Sequence, residues 1–129
     1  MNDFLFDSII NSLKVISQLK LNEKLCIRKG HLQIDSSSNI QFLKRWFYRD
    51  SREIVIVYLQ KLMDDLLKLR DSLTDKWYIS VLLIELENAQ CGFLNLRKTY
   101  FADPYMIAII DTYLLKYTEI CQKTRTYLI

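Results

Sequence analysis

An antiparallel bundle of four to five helices, with a small β-hairpin inserted after the first helix, is the fold this sequence predicts, on three observations. Apolar residues recur at alternating steps of three and four along three long stretches, whereas one short segment alternates with period two. One proline and two glycines leave little to interrupt regular structure. With 129 residues, half of them hydrophobic, the chain fits one domain spanning 1–129 that removes roughly two-thirds of its unfolded surface from water. Such a core needs no disulfide or metal to hold it.

The first element follows from Phe6, Ile9, Leu13 and Ile16, whose spacing predicts an amphipathic helix from Asp3 to about Ser17, capped by Asn2 or Asp3. In KLCIRKGHLQID the period changes. Leu25 and Ile27 alternate with Cys26 and Arg28, and Leu32 and Ile34 with Gln33 and Asp35, about a Lys29-Gly30-His31 turn where glycine supplies positive φ. A hairpin over about 24–35 results, and it must lie on a helix, because two strands alone are marginal. Caps at Ser36 to Asn39 and the spacing of Ile40, Leu43 and Phe47 predict a short helix to about Tyr48. Asp50 and Glu53 have the form of a capping pattern, so a bend is placed near Arg49 to Ser51; a continuous helix is the alternative.

Three long helices follow. Their seams are Val55, Leu59, Leu62, Leu66, Leu69, Leu73; then Ile79, Leu82, Leu86, Ala89, Phe93, Leu96; then Ile107, Ile110, Leu114, Tyr117, Cys121, Thr124. Ser72, Thr74 or Asp75 caps the second, while Asp103 caps the third with Pro104 in the first helical position. The short joints make the three successive antiparallel neighbours, and the N-terminal helix completes the bundle. A coiled-coil oligomer would share these heptads; caps every twenty-odd residues favour packing within one chain.

The composition also excludes much chemistry. The glycines, Gly30 and Gly92, are too far apart for a phosphate-binding loop, and the single histidine, His31, has no close second ligand for a metal. Asp64-Asp65 and Glu85-x-Glu87 diverge around a helix, so they read as solvated faces rather than an acid–base pair. Glu85 abuts the seam, where Arg97 or Lys116 is its expected partner. Cys91 and Cys121 read as inert seam thiols, and Cys26, on the hairpin's outer face, as the reactive one. Three cysteines without paired spacing, and no signal-peptide pattern, point to a reducing cytoplasmic setting. Apolar runs fall short of the roughly 20 residues a membrane span needs. Gly92, in mid-helix, calls for a close neighbour, an aromatic ring being the simplest; a small-ligand pocket beside Gly92 and Glu85 is the one enzyme-like alternative. No cofactor is expected, and the chain reads as a non-enzyme.

Net charge is +3, but Lys20 to Arg52 holds eight basic and three acidic residues, a local +5, against −2 for the remainder. Within it, FLKRWFYRDSRE interleaves aromatic and basic side chains. Phe42, Trp46 and Phe47 fit a core stripe, with guanidinium groups stacked outside it. Lys24, Arg28, Lys29, Lys44, Arg45, Arg49 and Arg52 form a candidate face for an anion or an acidic partner, and nucleic acid is the alternative ligand. The leading expectation is protein–protein binding, with a homodimer the economical case. Tyr58, Tyr100 and Tyr127 add to an aromatic excess over what one seam absorbs, and Trp77, Tyr78, Tyr105 and Tyr113 form the candidate interface.

The order of features from an amphipathic helix through Lys24 to Ile27, then Arg45-Trp46-Phe47-Tyr48, Ser51-Arg52-Glu53 and leucine-rich helices, resembles short uncharacterised helical proteins of large DNA viruses over about residues 10–70. The resemblance implies a virus-encoded accessory or structural protein, in the virion or the infected cell, with no active site to carry over.

Overall fold

The computed structural model describes residues 3–28, 31–35 and 51–128. Its elements are α1 (Asp3–Ser17), β1 (Lys24–Arg28), β2 (His31–Asp35), α2 (Ser51–Ser72), α3 (Lys76–Thr99) and α4 (Pro104–Tyr127). The protein is mainly helical, with one two-stranded antiparallel hairpin between its first and second described helices. The expected short helix from Asn39 to Tyr48, the Lys29-Gly30 turn and the bend at Arg49 lie outside the described residues.

Helix starts follow the sequence signals. Asp75 holds extended φ and ψ and accepts a hydrogen bond from the Trp77 amide at 2.8 Å, while Asp103 accepts one from Met106 at 3.2 Å with Pro104 next in line. Each side chain satisfies an amide that the helix itself leaves orphaned. In the turn after α1, Asn22 has a φ of 68°, a conformation asparagine tolerates better than most residues.

The first two long seams are buried at every expected position, as are Phe6, Ile9, Leu13 and Ile16 of α1. On α4 the seam is offset. Met106, not Ile107, is buried, and Ile120 joins Tyr117, Cys121 and Thr124, while Ile107 and Leu114 are only half-buried. Met106, Ile110, Tyr113, Tyr117, Ile120 and Thr124 advance by 4, 3, 4, 3, 4, so the same periodicity operates one residue earlier in register. The Tyr117 hydroxyl donates to the Leu86 carbonyl, and its ring packs against Phe93 at 4.8 Å between centroids. A large aromatic thus enters the seam with its polar end satisfied.

Neighbours differ from the simple serial order. Phe6 meets Tyr78 at 5.0 Å between centroids, Asn95 donates to the Leu19 carbonyl at 3.0 Å, and the Asn22 amide donates to Thr99 at 3.0 Å, so α1 and α3 lie side by side and parallel. Ser12 and Tyr58 share a 2.8 Å hydrogen bond that joins α1 to antiparallel α2. Arg97 with Asp111, and Arg125 with Glu87, join α3 to antiparallel α4. Helix α4 packs against α2 as well, whereas α2 and α3 face each other across the bundle. The expectation that α2 and α3 are adjacent is therefore wrong: the Leu73–Asp75 joint crosses the diagonal because α1 occupies the place beside α3.

The contact that seats α1 there explains Gly92. A Cβ on Gly92 would collide with the backbone carbonyl of Ile16, its carbon only 2.6 Å away, and would press on Ile16 Cγ2 at 3.1 Å. The neighbour is backbone rather than the aromatic ring expected, and it fills the space in which a ligand pocket was an alternative.

The hairpin pairs Leu25 with Ile34 and Ile27 with Leu32, and it lies against α1 through β2 and against α2 through β1. Leu25 and Leu32 are buried as expected. Ile27 is exposed, however, and Cys26, on the opposite face, is buried. Burial in β1 is confined to Leu25 and Cys26, with Lys24 before them and Ile27 after them exposed, so the strand is covered on both faces where these two residues meet the bundle.

Gly92→Ala isolates the α1–α3 contact. Helix propensity alone would favour alanine by about 1 kcal/mol. Displacement of α1 instead gives an expected net loss of roughly 2 kcal/mol, seen as a lower urea midpoint with unchanged slope. A gain in stability would show that α1 is not seated on this glycine.

Candidate functional site

The aromatic residues singled out as an interface do not form one surface. Trp77 and Tyr78 stand in the first turn of α3, ring centroids 4.9 Å apart and nearly perpendicular, with Tyr78 braced beneath by Phe6. Tyr105 lies at the other end of the bundle, in the first turn of α4. Tyr113 is half-buried along the α4 side, its ring 5.8 Å from the Lys116 ammonium. Partial burial, with the Asp64 carboxylate a lesser influence, pushes the Tyr113 phenol above its ordinary value. Of the four, Trp77 and Tyr105 are exposed, at 65% and 61%.

A feature missed by the sequence reading is the outer face of α3. Trp77, Ile84 and Cys91 are spaced by seven residues and all are exposed, with Leu94 a further three residues on. Seven residues turn an α-helix through almost two full turns, so the first three share one stripe opposite the seam. The signal was present in the sequence, but the stronger Ile79-to-Leu96 pattern on the same helix absorbed it.

Of the candidate basic face, only Lys24 has a described side chain, and it is exposed at the start of β1, opposite Asp35 in the register. Arg28 and Arg52 are placed by backbone alone, in the last position of β1 and the first turn of α2. Lys29, Lys44, Arg45 and Arg49 lie outside the described residues.

The carboxylates are arranged differently from the expectation for Glu85. Arg97 makes a two-pronged contact with Asp111, Nε to Oδ1 at 2.5 Å and a second nitrogen to Oδ2 at 3.2 Å. This raises the guanidinium pKa and lowers that of the Asp111 carboxyl, mainly through the hydrogen bond. Glu87 takes Arg125 at 3.1 Å. Both pairs are exposed and clamp α3 to α4 at the surface, where such pairs contribute little each.

A cleft of about 220 Å³ opens between α1, α2 and β2, and no motif or spacing announced it. Asp7, Ser8, Asn11 and Ser12 face Tyr58 and Lys61 across it, over a floor that includes Leu32. The Ser12 hydroxyl is engaged with the Tyr58 phenol rather than with a histidine or carboxylate, the arrangement that activates a serine. Among the described residues, no three metal-ligating side chains gather together, and no helix is long and apolar enough to cross a membrane.

Cys26 and Cys91 exchange their expected environments, while Cys121 is buried as expected. Cys26 and Cys121 are buried, and burial pushes the Cys121 thiol above its ordinary pKa. Cys91 is exposed because it falls midway in the four-residue step from Ala89 to Phe93 and therefore points away from the seam. In the native protein a disulfide thiol reagent should accordingly modify one cysteine rapidly, abolished by Cys91→Ser, and the other two only on unfolding. Rapid native labelling in the Cys91→Ser variant would contradict the burial of Cys26 and Cys121.

No family model matches the chain, and neither a curated protein nor a solved structure is found to be similar to it.

Proposed function

We propose that this is a non-enzymatic helical protein that works by binding other proteins, its own second copy first. The observation that supports the reading is the stripe of Trp77, Ile84 and Cys91 on a helix whose own core seam is already complete. Single exposed apolar residues, such as Val57 on α2 or Leu115 on α4, are ordinary on a protein surface. A repeat of seven is different, because it presents a continuous ridge to a second helix carrying the same ridge. Trp77 is braced by Tyr78, so little side-chain freedom remains to be lost when it is covered. The resemblance of residues 10–70 to helical proteins of large DNA viruses suits an accessory or structural role of this kind.

Sedimentation over a concentration series tests the reading. The wild-type chain should pass from monomer to dimer in the tens-of-micromolar range, and Ile84→Glu should weaken association at least about tenfold, the scale of one truncated central contact. Helical circular dichroism should not change, since Ile84 lies outside the core. A monomer throughout, or a dimer indifferent to Ile84→Glu and Trp77→Ala, would refute α3 as the interface.

A further inference from the structure

We infer that the cleft between α1, α2 and β2 binds a free amino acid with an aliphatic side chain. Its walls belong to three elements packed on one another, so the hollow is set by the arrangement of the backbone rather than by one side chain's rotamer. At about 220 Å³ it lies below the range that holds drug-sized ligands, which limits it to a small molecule. The most buried polar group in its lining is Ser12, at 8% exposure. The Ser12 hydroxyl and the Tyr58 phenol share one hydrogen bond at 2.8 Å, and neither makes another among the described residues. Two hydroxyls bring two protons, and the bond between them uses one. The second proton is a donor at the cleft wall for which the described residues supply no acceptor, a costly state unless the cleft is filled by something that accepts. Lys61, one turn beyond Tyr58 on α2, adds an ammonium group that forms no ion pair among the described residues. Hydroxyl and ammonium together suit a carboxylate.

The other charges at the cleft exclude a simple anion. Asp7 stands on the α1 wall, and Asp65 lines a narrow continuation of the cleft past Ser12 and Lys61, so one ammonium group is set against two carboxylates. A bare carboxylate would gain one attraction and meet two repulsions. A ligand that carries its own ammonium group removes the conflict. Asp7, and the Asn11 amide oxygen one turn along the same helix, are its acceptors, and neither side chain has a partner among the described residues. Val15, Leu32 and the exposed Phe4 make up the apolar part of the lining. They suit a branched hydrocarbon and offer the hydroxyls of a sugar nothing to bond. A zwitterion with an aliphatic side chain answers each of these groups at once. None of them belongs to the α3 stripe, so the site stands apart from self-association.

Free leucine titrated into the full isotope-labelled chain should shift the amide resonances of Asp7 to Ser12, Leu32 and Tyr58 to Lys61 in a saturable way. A Kd of about 1 mM is the affinity open to a ligand of so few atoms. Isocaproate, which lacks the ammonium group, and isopentylamine, which lacks the carboxylate, should each bind at least about tenfold more weakly. Asp7→Asn and Lys61→Gln should each weaken leucine about tenfold. Both variants should keep the wild-type thermal midpoint, because both side chains are exposed. The inference is overturned if leucine moves no resonance at the cleft, if either analogue binds as tightly as leucine, or if the two charge variants bind leucine as the wild type does.

Discussion

The close approach of the α1 backbone to Gly92 is the constraint from which the arrangement of the bundle follows. Without a Cβ at that position, the Ile16 carbonyl can sit against α3, and α1 takes the slot alongside it in parallel. Helix α2, bonded to the other flank of α1 through Tyr58, is then forced to the far corner from α3. The joint between α2 and α3 must cross the diagonal, and α4 closes the ring by packing on both. One missing methyl group thus decides which helices are neighbours, although the seams alone decide which faces are inside.

That division explains what could be read from the residues. Periodicity reports the buried face of a helix, and it placed α1 and both leucine-rich seams correctly, together with the Asp75 and Asp103 caps and the hairpin. It carries no information on which other helix covers that face, so the diagonal crossing was not legible. On α4 both Ile107 and Met106 satisfy the pattern. The choice fell to Met106 because the next turns bury Tyr117 and Ile120 on the same side. Gly92 announced a close contact but not its partner, which lies 76 positions away in a helix of no special composition. Two of the three cysteines were misassigned for a geometric reason. Cys91 was judged by closeness in sequence to seam residues rather than by angle, and Cys26 by strict alternation in a strand that is covered on both faces where it enters the bundle.

The candidate sites were less legible than the fold, again for a physical reason. An aromatic excess can be counted, yet its distribution depends on which ends of which helices come together. Trp77 and Tyr105 each stand in the first turn of their helices, and antiparallel packing of α3 and α4 sends them to opposite ends. Placing all four aromatics on one surface assumed a proximity that helix direction forbids. The same antiparallel geometry brings the finish of α3 beside the start of α4, and with it Lys98, Phe101 and Tyr105, a grouping that no linear motif encodes.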